Sequence, residues 1–295
     1  MAAEIGVDVI ERQEWMEPVE EGLQSAVTRA YEASGNAGQR VKNFLHGTWL
    51  GHPLHPVLTD IPIGAWTAAL VLDTIDDGSR RRRGIAEAAD TAVGLGLAAA
   101  VPTAIAGLTD WQATDGAARR VGLTHGLLNI AVTALFTTSW LMRRGGRRRG
   151  GKLFSLAGYG VAMGGAYLGG HLVYKKQIGI DHTAGEQLPE EFVAVLPDVE
   201  LLEGQLRRVN AEGVKVLLVR QGGQIRAIAE VCSHLGGPLA EGEIVGETVR
   251  CPWHGSRYSL ETGQVIDGPS THNQPCLEAR VRDGQIEVRL KGSAE

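Results

Sequence analysis

Cys232-Ser233-His234-Leu235-Gly236-Gly237-Pro238 and Cys251-Pro252-Trp253-His254-Gly255-Ser256 decide how this chain is read. Each stretch supplies one thiol and one imidazole, in the order C-x-H, sixteen residues, C-x-x-H. Glycine and proline around these side chains favour tight loops. Two Cys and two His in such loops suit either of two centres. One is a single tetrahedral zinc; the other is a two-iron, two-sulfide cluster with both Cys on one iron and both His on the other.

Outward from these loops the texture is that of short strands. Residues 192–196, 214–220, 225–231, 248–250, 264–266, 279–281 and 286–290 are β-favouring runs. Gly222-Gly223, Gly236-Gly237, Asp267-Gly268 and Asp283-Gly284 punctuate them, the pattern of a small antiparallel β-domain.

The two loops, with the later Asp267-Gly268-Pro269, resemble the Rieske iron–sulfur domain over about residues 190–292, roughly a third of the chain. The resemblance implies a sandwich-like antiparallel β-base with a small cluster-binding subdomain. It also implies that Cys232 and Cys251 bind one iron of a [2Fe-2S] cluster and His234 and His254 the other, with Gly236 and Pro269 shaping the loops. Ser256 and Tyr258 stand where high-potential members place hydroxyls that hydrogen-bond a bridging sulfide and a cysteine sulfur. The extra Cys pair of the respiratory members is replaced by Gly237 and Trp253, so no disulfide is expected. These signs conflict, and an intermediate to high potential is the expectation. Cys276 lies outside both loops and reads as a small buried hydrophobe. Oxygenases of this family need a second, mononuclear iron on a following domain. The chain ends soon after Leu290, so a self-contained oxygenase is not expected.

The first two thirds read differently. Mean hydropathy over all 295 residues is only −0.06, but the apolar residues are concentrated in four stretches, 57–75, 91–108, 121–142 and 153–174. Each is long enough to cross a bilayer, which takes ~17–25 apolar residues. Pro62 and Pro102 are tolerable where neighbouring helices satisfy the freed carbonyls. Small-xxx-small spacings around Gly160–Gly169 allow close helix packing. The expected architecture is therefore an all-α transmembrane four-helix bundle followed by an all-β domain. Its segments are an acidic tail (1–45), the membrane domain (46–176), a connector (177–189) and the Rieske-like domain (190–292). The tail reads as mobile, although Trp15 and Leu23 offer an alternative as a helix on the membrane surface. Three Cys exclude a disulfide scaffold, and a net charge of −5 gives no reason to expect nucleic-acid binding.

Orientation follows from the loops. Arg80 to Arg83, with Arg143, Arg144, Arg147, Arg148, Arg149 and Lys152, put ten basic residues on one side; the other side has six. The positive-inside rule places the Arg loops in the cytoplasm, so this is a multi-pass cell-membrane protein with the β-domain outside. His52, His55, His125 and His171 all fall at the membrane face from which that domain hangs, candidates to hold a b-type haem, a metal ion or a quinone. Gly51-His52-Pro53-Leu54-His55-Pro56 resembles a motif of an uncharacterised four-helix membrane family often found beside Rieske domains, over about 45–175. That resemblance implies membrane residence and no mechanism. The expected function is single-electron transfer between a membrane donor, quinol or haem, and a redox partner. The alternatives are a quinol- or haem-linked subunit of a larger oxidoreductase, with a cofactor at the membrane histidines, and a redox sensor.

Overall fold

The computed structural model describes residues 2–76, 79 and 83–291 and divides into two units. One holds Met1–Gly38 and Pro53–Lys176; the other holds Gln39–His52 and Gln177–Glu295. Arg80, Arg81 and Arg82, which weigh in the charge count above, lie outside the described residues.

The helical unit is built on α4 (Leu54–Ile75), α5 (Arg83–Trp111), α6 (Gly116–Arg144) and α7 (Arg148–Tyr174). By length and composition α4, α5 and α6 are apolar enough to cross a membrane, with mean hydropathies of 1.2, 1.7 and 1.3. The fourth expected span, α7, is 27 residues long but is not among them. Its many glycines add length without hydropathy. Pro62 sits inside α4 and cannot donate to the carbonyl of Leu58. The Thr103 hydroxyl of α5 lies 3.2 Å from that oxygen and 2.8 Å from the Ala99 carbonyl of its own helix, so its one hydrogen is shared between the two.

The bundle contains an internal repeat that shows in its contacts. His55, Trp66 and Asp73 of α4 stand at the same spacing as His125, Phe136 and Arg143 of α6, and each meets its counterpart. The two His rings lie edge to face at 6.2 Å. Trp66 stacks on Phe136 at 4.2 Å, within 4° of parallel. Arg143 donates to both carboxylate oxygens of Asp73. The following helices repeat as well. A Cβ on Gly96 or Gly107 of α5 would strike Trp66 or His55. On Gly158 or Gly169 of α7 it would press on Phe136 or His125. Two helical hairpins thus face each other through large side chains seated on glycines. At the Asp73 end, Arg143, Arg148 and Lys152 are tied to Asp73, Asp76 and Asp90 in a network of three cations and three carboxylates.

The segment expected as a mobile acidic tail is helical: α1 (Ala2–Glu11), α2 (Glu17–Glu32) and α3 (Gly35–His46). Its acidic residues have partners far along the chain. Arg119 pairs with Glu17 and Glu20 at 3.2 and 3.0 Å, and Lys176 with Glu11 at 2.8 Å. Val7 is buried against Val121 and Leu168.

Among its described residues the second unit carries ten strands. β1 (Val193–Pro197), β2 (Leu206–Ala211), β3 (Val214–Gln221), β4 (Gln224–Ala229), β9 (Cys276–Arg282) and β10 (Gln285–Leu290) form one antiparallel sheet in the order β1-β10-β9-β4-β3-β2. β5 (Glu243–Val245), β6 (Thr248–Arg250), β7 (Arg257–Ser259) and β8 (Val265–Asp267) form the second. The β3–β4 hairpin closes through Gly222 and Gly223, both at positive φ (61° and 76°), as a two-residue turn of this hand requires. β3 is buried on both faces. Val216 and Leu218 enter a core with Leu196, Val209 and Ile286 from across the large sheet. Leu217 and Val219 enter another with Val249, Leu260, Cys232 and Cys251, between the sheet and the smaller one. The expected base and subdomain are therefore both present, and the two thiols lie at their junction.

Candidate metal centre

The two motif loops have one local shape. In the first, after β4, the Cys232 amide donates to the Gly237 carbonyl at 2.8 Å, and the Gly236 amide returns to the Cys232 carbonyl at 2.9 Å. In the second, between β6 and β7, Cys251 donates to Ser256 at 2.8 Å and Gly255 to Cys251 at 3.2 Å. Gly236 and Gly255 both take φ near +77°, which closes each loop at no Cβ penalty.

The four donor side chains come together as two like pairs. Cys232 and Cys251 share a side-chain hydrogen bond. That bond and burial hold Cys232 above the ordinary thiol range, while the same bond, acting against burial, brings Cys251 below it. Backbone amides of Trp253 and His254 reach the Cys251 sulfur, and that of His234 reaches Cys232. The rings of His234 and His254 lie 5.0 Å apart. His234 is buried and His254 half-buried, and the His234 Nδ1 is enclosed without a hydrogen-bond partner. Burial pushes the His234 pKa well below the usual imidazole range, helped by His254, His46 and His182. A neutral ring with an enclosed nitrogen lone pair is what a metal takes from histidine.

Polar groups behind the loops fix these atoms. Tyr258, fully buried, places its hydroxyl 3.1 Å from the Cys232 sulfur and 3.0 Å from Ser233 Oγ. Burial raises its pKa far above the normal phenol, so it remains a donor. Ser256 Oγ accepts the Ser270 amide at 3.0 Å, which leaves its own hydrogen to donate. Ser233 Oγ donates to the His272 carbonyl at 2.7 Å and lies 2.8 Å from Ser270 Oγ. Gln274 accepts the Ser233 amide and donates to the carbonyls of Ala229 and Val231, locking the first loop onto the large sheet. Pro269 follows Gly268 through a cis peptide bond in the third loop. Cys276 is half-buried and donates to the Glu261 carbonyl at 3.2 Å, away from the site.

A contribution from the far end of the chain has no local signal in the motif. Asn43, near the end of α3, donates to the Ile266 carbonyl and the Asp267 carboxylate and accepts the Gly268 amide. His46 is buried against Gly268, whose Cβ, if it had one, would lie 2.9 Å from the imidazole. From the connector, the His182 amide donates to the Ser233 carbonyl at 3.1 Å. Segments on both sides of the helical bundle thus belong to the β-unit.

Residues 191–278 match the family described as the Rieske [2Fe-2S] domain, and residues 51–182 match that described as predicted membrane protein (DUF2231). Ferredoxin CarAc of Metapseudomonas resinovorans is 33% identical over 90 residues, 30% of this chain and 84% of that protein. The chain belongs to the Rieske [2Fe-2S] family. Its Rieske domain is also similar to human apoptosis-inducing factor 3, 33% identical over 108 residues, 36% of this chain. It covers only 18% of that relative. The cytochrome b6-f complex iron-sulfur subunit of Chlorobaculum tepidum is 30% identical over 101 residues, 34% of this chain and 54% of that one. The ferredoxin and the cytochrome b6-f subunit among these relatives act in electron transfer. The predicted membrane domain and the three apolar helices mark the chain as a membrane protein.

The donor set fits a Rieske cluster: thiol faces thiol, imidazole faces imidazole, and the enclosed Nδ1 of His234 lacks a partner. Among the described residues no three His, Cys, Asp or Glu side chains are grouped to hold a single metal ion. The membrane histidines are not gathered as a set of four. His55 and His125 meet, but each Nδ1 is bound to a backbone carbonyl of the next helix, Thr103 at 2.9 Å and Gly165 at 2.8 Å. His171 lies 3.1 Å from Glu11, and His52 belongs to the other unit.

Proposed function

We propose that this chain is a membrane-integral electron carrier whose cluster is held by Cys232 and Cys251 on one iron and by His234 and His254 on the other. The observation that carries this is the pairing of like donors, with the His234 nitrogen buried and unpaired between loops of identical shape. Such a cluster accepts and returns one electron, at a potential raised by its two imidazoles. The chain's own part is to orient the donors and tune that potential. Amides at His234, Trp253 and His254 and the Tyr258 hydroxyl direct hydrogen bonds at the thiolate sulfurs, which favours the more negative, reduced state. Ser256 has a hydroxyl hydrogen to add.

In this reading α4–α7 all span the bilayer. The polar end of α7 supports it: Arg148 and Lys152 are spent on Asp73, Asp76 and Asp90, Arg149 lies in the first turn, and from Leu153 to Tyr174 the helix carries mainly small and apolar residues. The Rieske domain is extracytoplasmic, and its electrons pass between a membrane donor and a partner protein. The His55 and His125 rings are bonded within the bundle, His125 at both nitrogens, through Gly165 at Nδ1 and Asn129 at Nε2, so a haem or quinone there forms no part of the proposal.

The test is a reduced-minus-oxidised spectrum with iron quantified on full-length protein in mild detergent. Two irons per chain and an EPR signal on reduction, both lost in Cys251→Ser, are the expected result. One zinc and no iron would sink the proposal. A thiol label applied outside intact cells should react with Gln285→Cys; reaction only after lysis would reverse the orientation.

A further inference from the structure

α2 is amphipathic the wrong way round for a helix in water. Its inner face is polar. Glu20 is fully buried on Arg119, and Gln24 donates to the carbonyls of Trp111 and Thr114 at 3.0 and 2.9 Å. Further along, Thr28 accepts from Gln112 and Tyr31 bonds Thr109 at 2.7 Å. The opposite face carries Trp15 from the turn before the helix, then Val19, Leu23, Ala26 and Ala30. At 100° per residue these fall on one arc about 80° wide. Trp15 is 71% exposed, Val19 53% and Leu23 44%. A helix free to choose in water turns such an arc inward. Here the polar bonds to the bundle fix it outward.

We infer that this outward arc of α2 is seated in the lipid bilayer at the headgroup–acyl boundary, so that the helix lies on the membrane beside the spans. The inference rests on the reading that α4–α7 cross the membrane. Two features select lipid as the occupant. First, the groups that grip α2, from Thr109 to Arg119, are the last turn of α5, the loop after it and the first turn of α6. These are the ends of two candidate spans, where an interfacial helix belongs. Secondly, apolar exposure continues from there along the same helices, through Leu108, Ile105 and Val101 of α5 and Leu127 and Ile130 of α6. Trp15 heads the arc, and indole is favoured at that depth.

The test uses the full chain in phosphatidylcholine nanodiscs, kept oxidised and with Cys276→Ser to remove the stray thiol. Spin labels at Val19→Cys, Leu23→Cys, Glu21→Cys and Ile130→Cys are read for collision with oxygen, which enters lipid, and with a nickel chelate, which stays in water. Several-fold excess of oxygen over nickel collisions at 19, 23 and 130, reversed at 21, is expected. Nickel access at 19 and 23 with 130 still lipid-like overturns the inference alone. Exclusion of both reagents at 19 and 23 means protein covers the arc, and overturns it too. Nickel access at 130 overturns the spanning reading and the inference with it. As a second measurement, brominated lipid should quench a fluorescence component that Trp15→Phe removes; no such component counts against the inference.

Discussion

The bundle and the cluster loops are both built twice over, and they use the duplication in opposite ways. In the bundle, counterparts meet and satisfy one another: Trp66 on Phe136, Asp73 on Arg143. Even the histidines give their Nδ1 atoms to backbone carbonyls. In the Rieske domain, the paired loops bring like groups face to face and leave His234 Nδ1 with nothing to bond. Counterparts that fill one another's space and charge make a scaffold, even though one polar atom there, Trp66 Nε1, is buried without a partner. Four donor side chains brought together as like pairs, one of them with an enclosed nitrogen unspent, make a site.

If that distinction holds, mutations in the two places should fail differently. The largest effect belongs to the site. His234→Ala should abolish the cluster's visible absorbance and lower iron to background, while the helical circular dichroism of the bundle persists. A retained cluster would remove His234 as a ligand. Next comes the scaffold. Arg143→Leu leaves the buried Asp73 carboxylate to Arg148 alone and should cost up to about 3–5 kcal/mol, read as a lower midpoint of helix unfolding, with the redox potential unchanged. Adding Asp73→Leu should recover much of the loss, since a buried pair replaced by apolar groups is often neutral.

Smaller effects probe the tuning groups. Ser256→Ala removes one hydrogen bond available to the reduced cluster. At roughly 1.4 kcal/mol, that lowers the midpoint potential by about 60 mV for one electron. No shift in a redox titration would mean that the hydroxyl serves only Ser270. The smallest effect concerns Glu186, in the connector, whose carboxyl is pushed up to about 7 by burial, then by Glu230 and Asp181. Its folded pKa lies above the unfolded value, so its contribution is full below about pH 4.5 and is lost as pH rises through 7. Glu186→Gln should therefore leave thermal loss of the cluster unchanged at pH 4.5 and delay it at pH 8. Equal behaviour at both would show that the carboxyl titrates normally.

The four proposed ligands were legible because their spacing is local and chemically unusual. The long helices were legible because a bilayer-length apolar run has few alternative readings. β2 escaped because Arg207, Arg208 and Asn210 outnumber the inward Val209 and mask its alternation. β5 and β7 are three residues each, too short to show a period. The N-terminal helices read as a tail because the ion-pair partners of their glutamates, Arg119 and Lys176, lie about a hundred residues away or more. Asn43 and His46 were invisible for the same reason. The repeat was hidden for a different one: Trp opposite Phe and Asp opposite Arg are complementary rather than similar. Only the spacing is shared, and it gains meaning once the contacts are seen.

Gly237 has one further consequence. A Cβ there would lie 2.8 Å from the Cys251 sulfur and 3.1 Å from the Trp253 ring, so backbone and indole already fill the space between the two loops. They are held together by packing and hydrogen bonds, and the three cysteines are free of one another as disulfides. Ambient thiols therefore have no covalent staple to cut. Whatever the thiol poise of its compartment, the described part of this domain holds no disulfide whose reduction would loosen it.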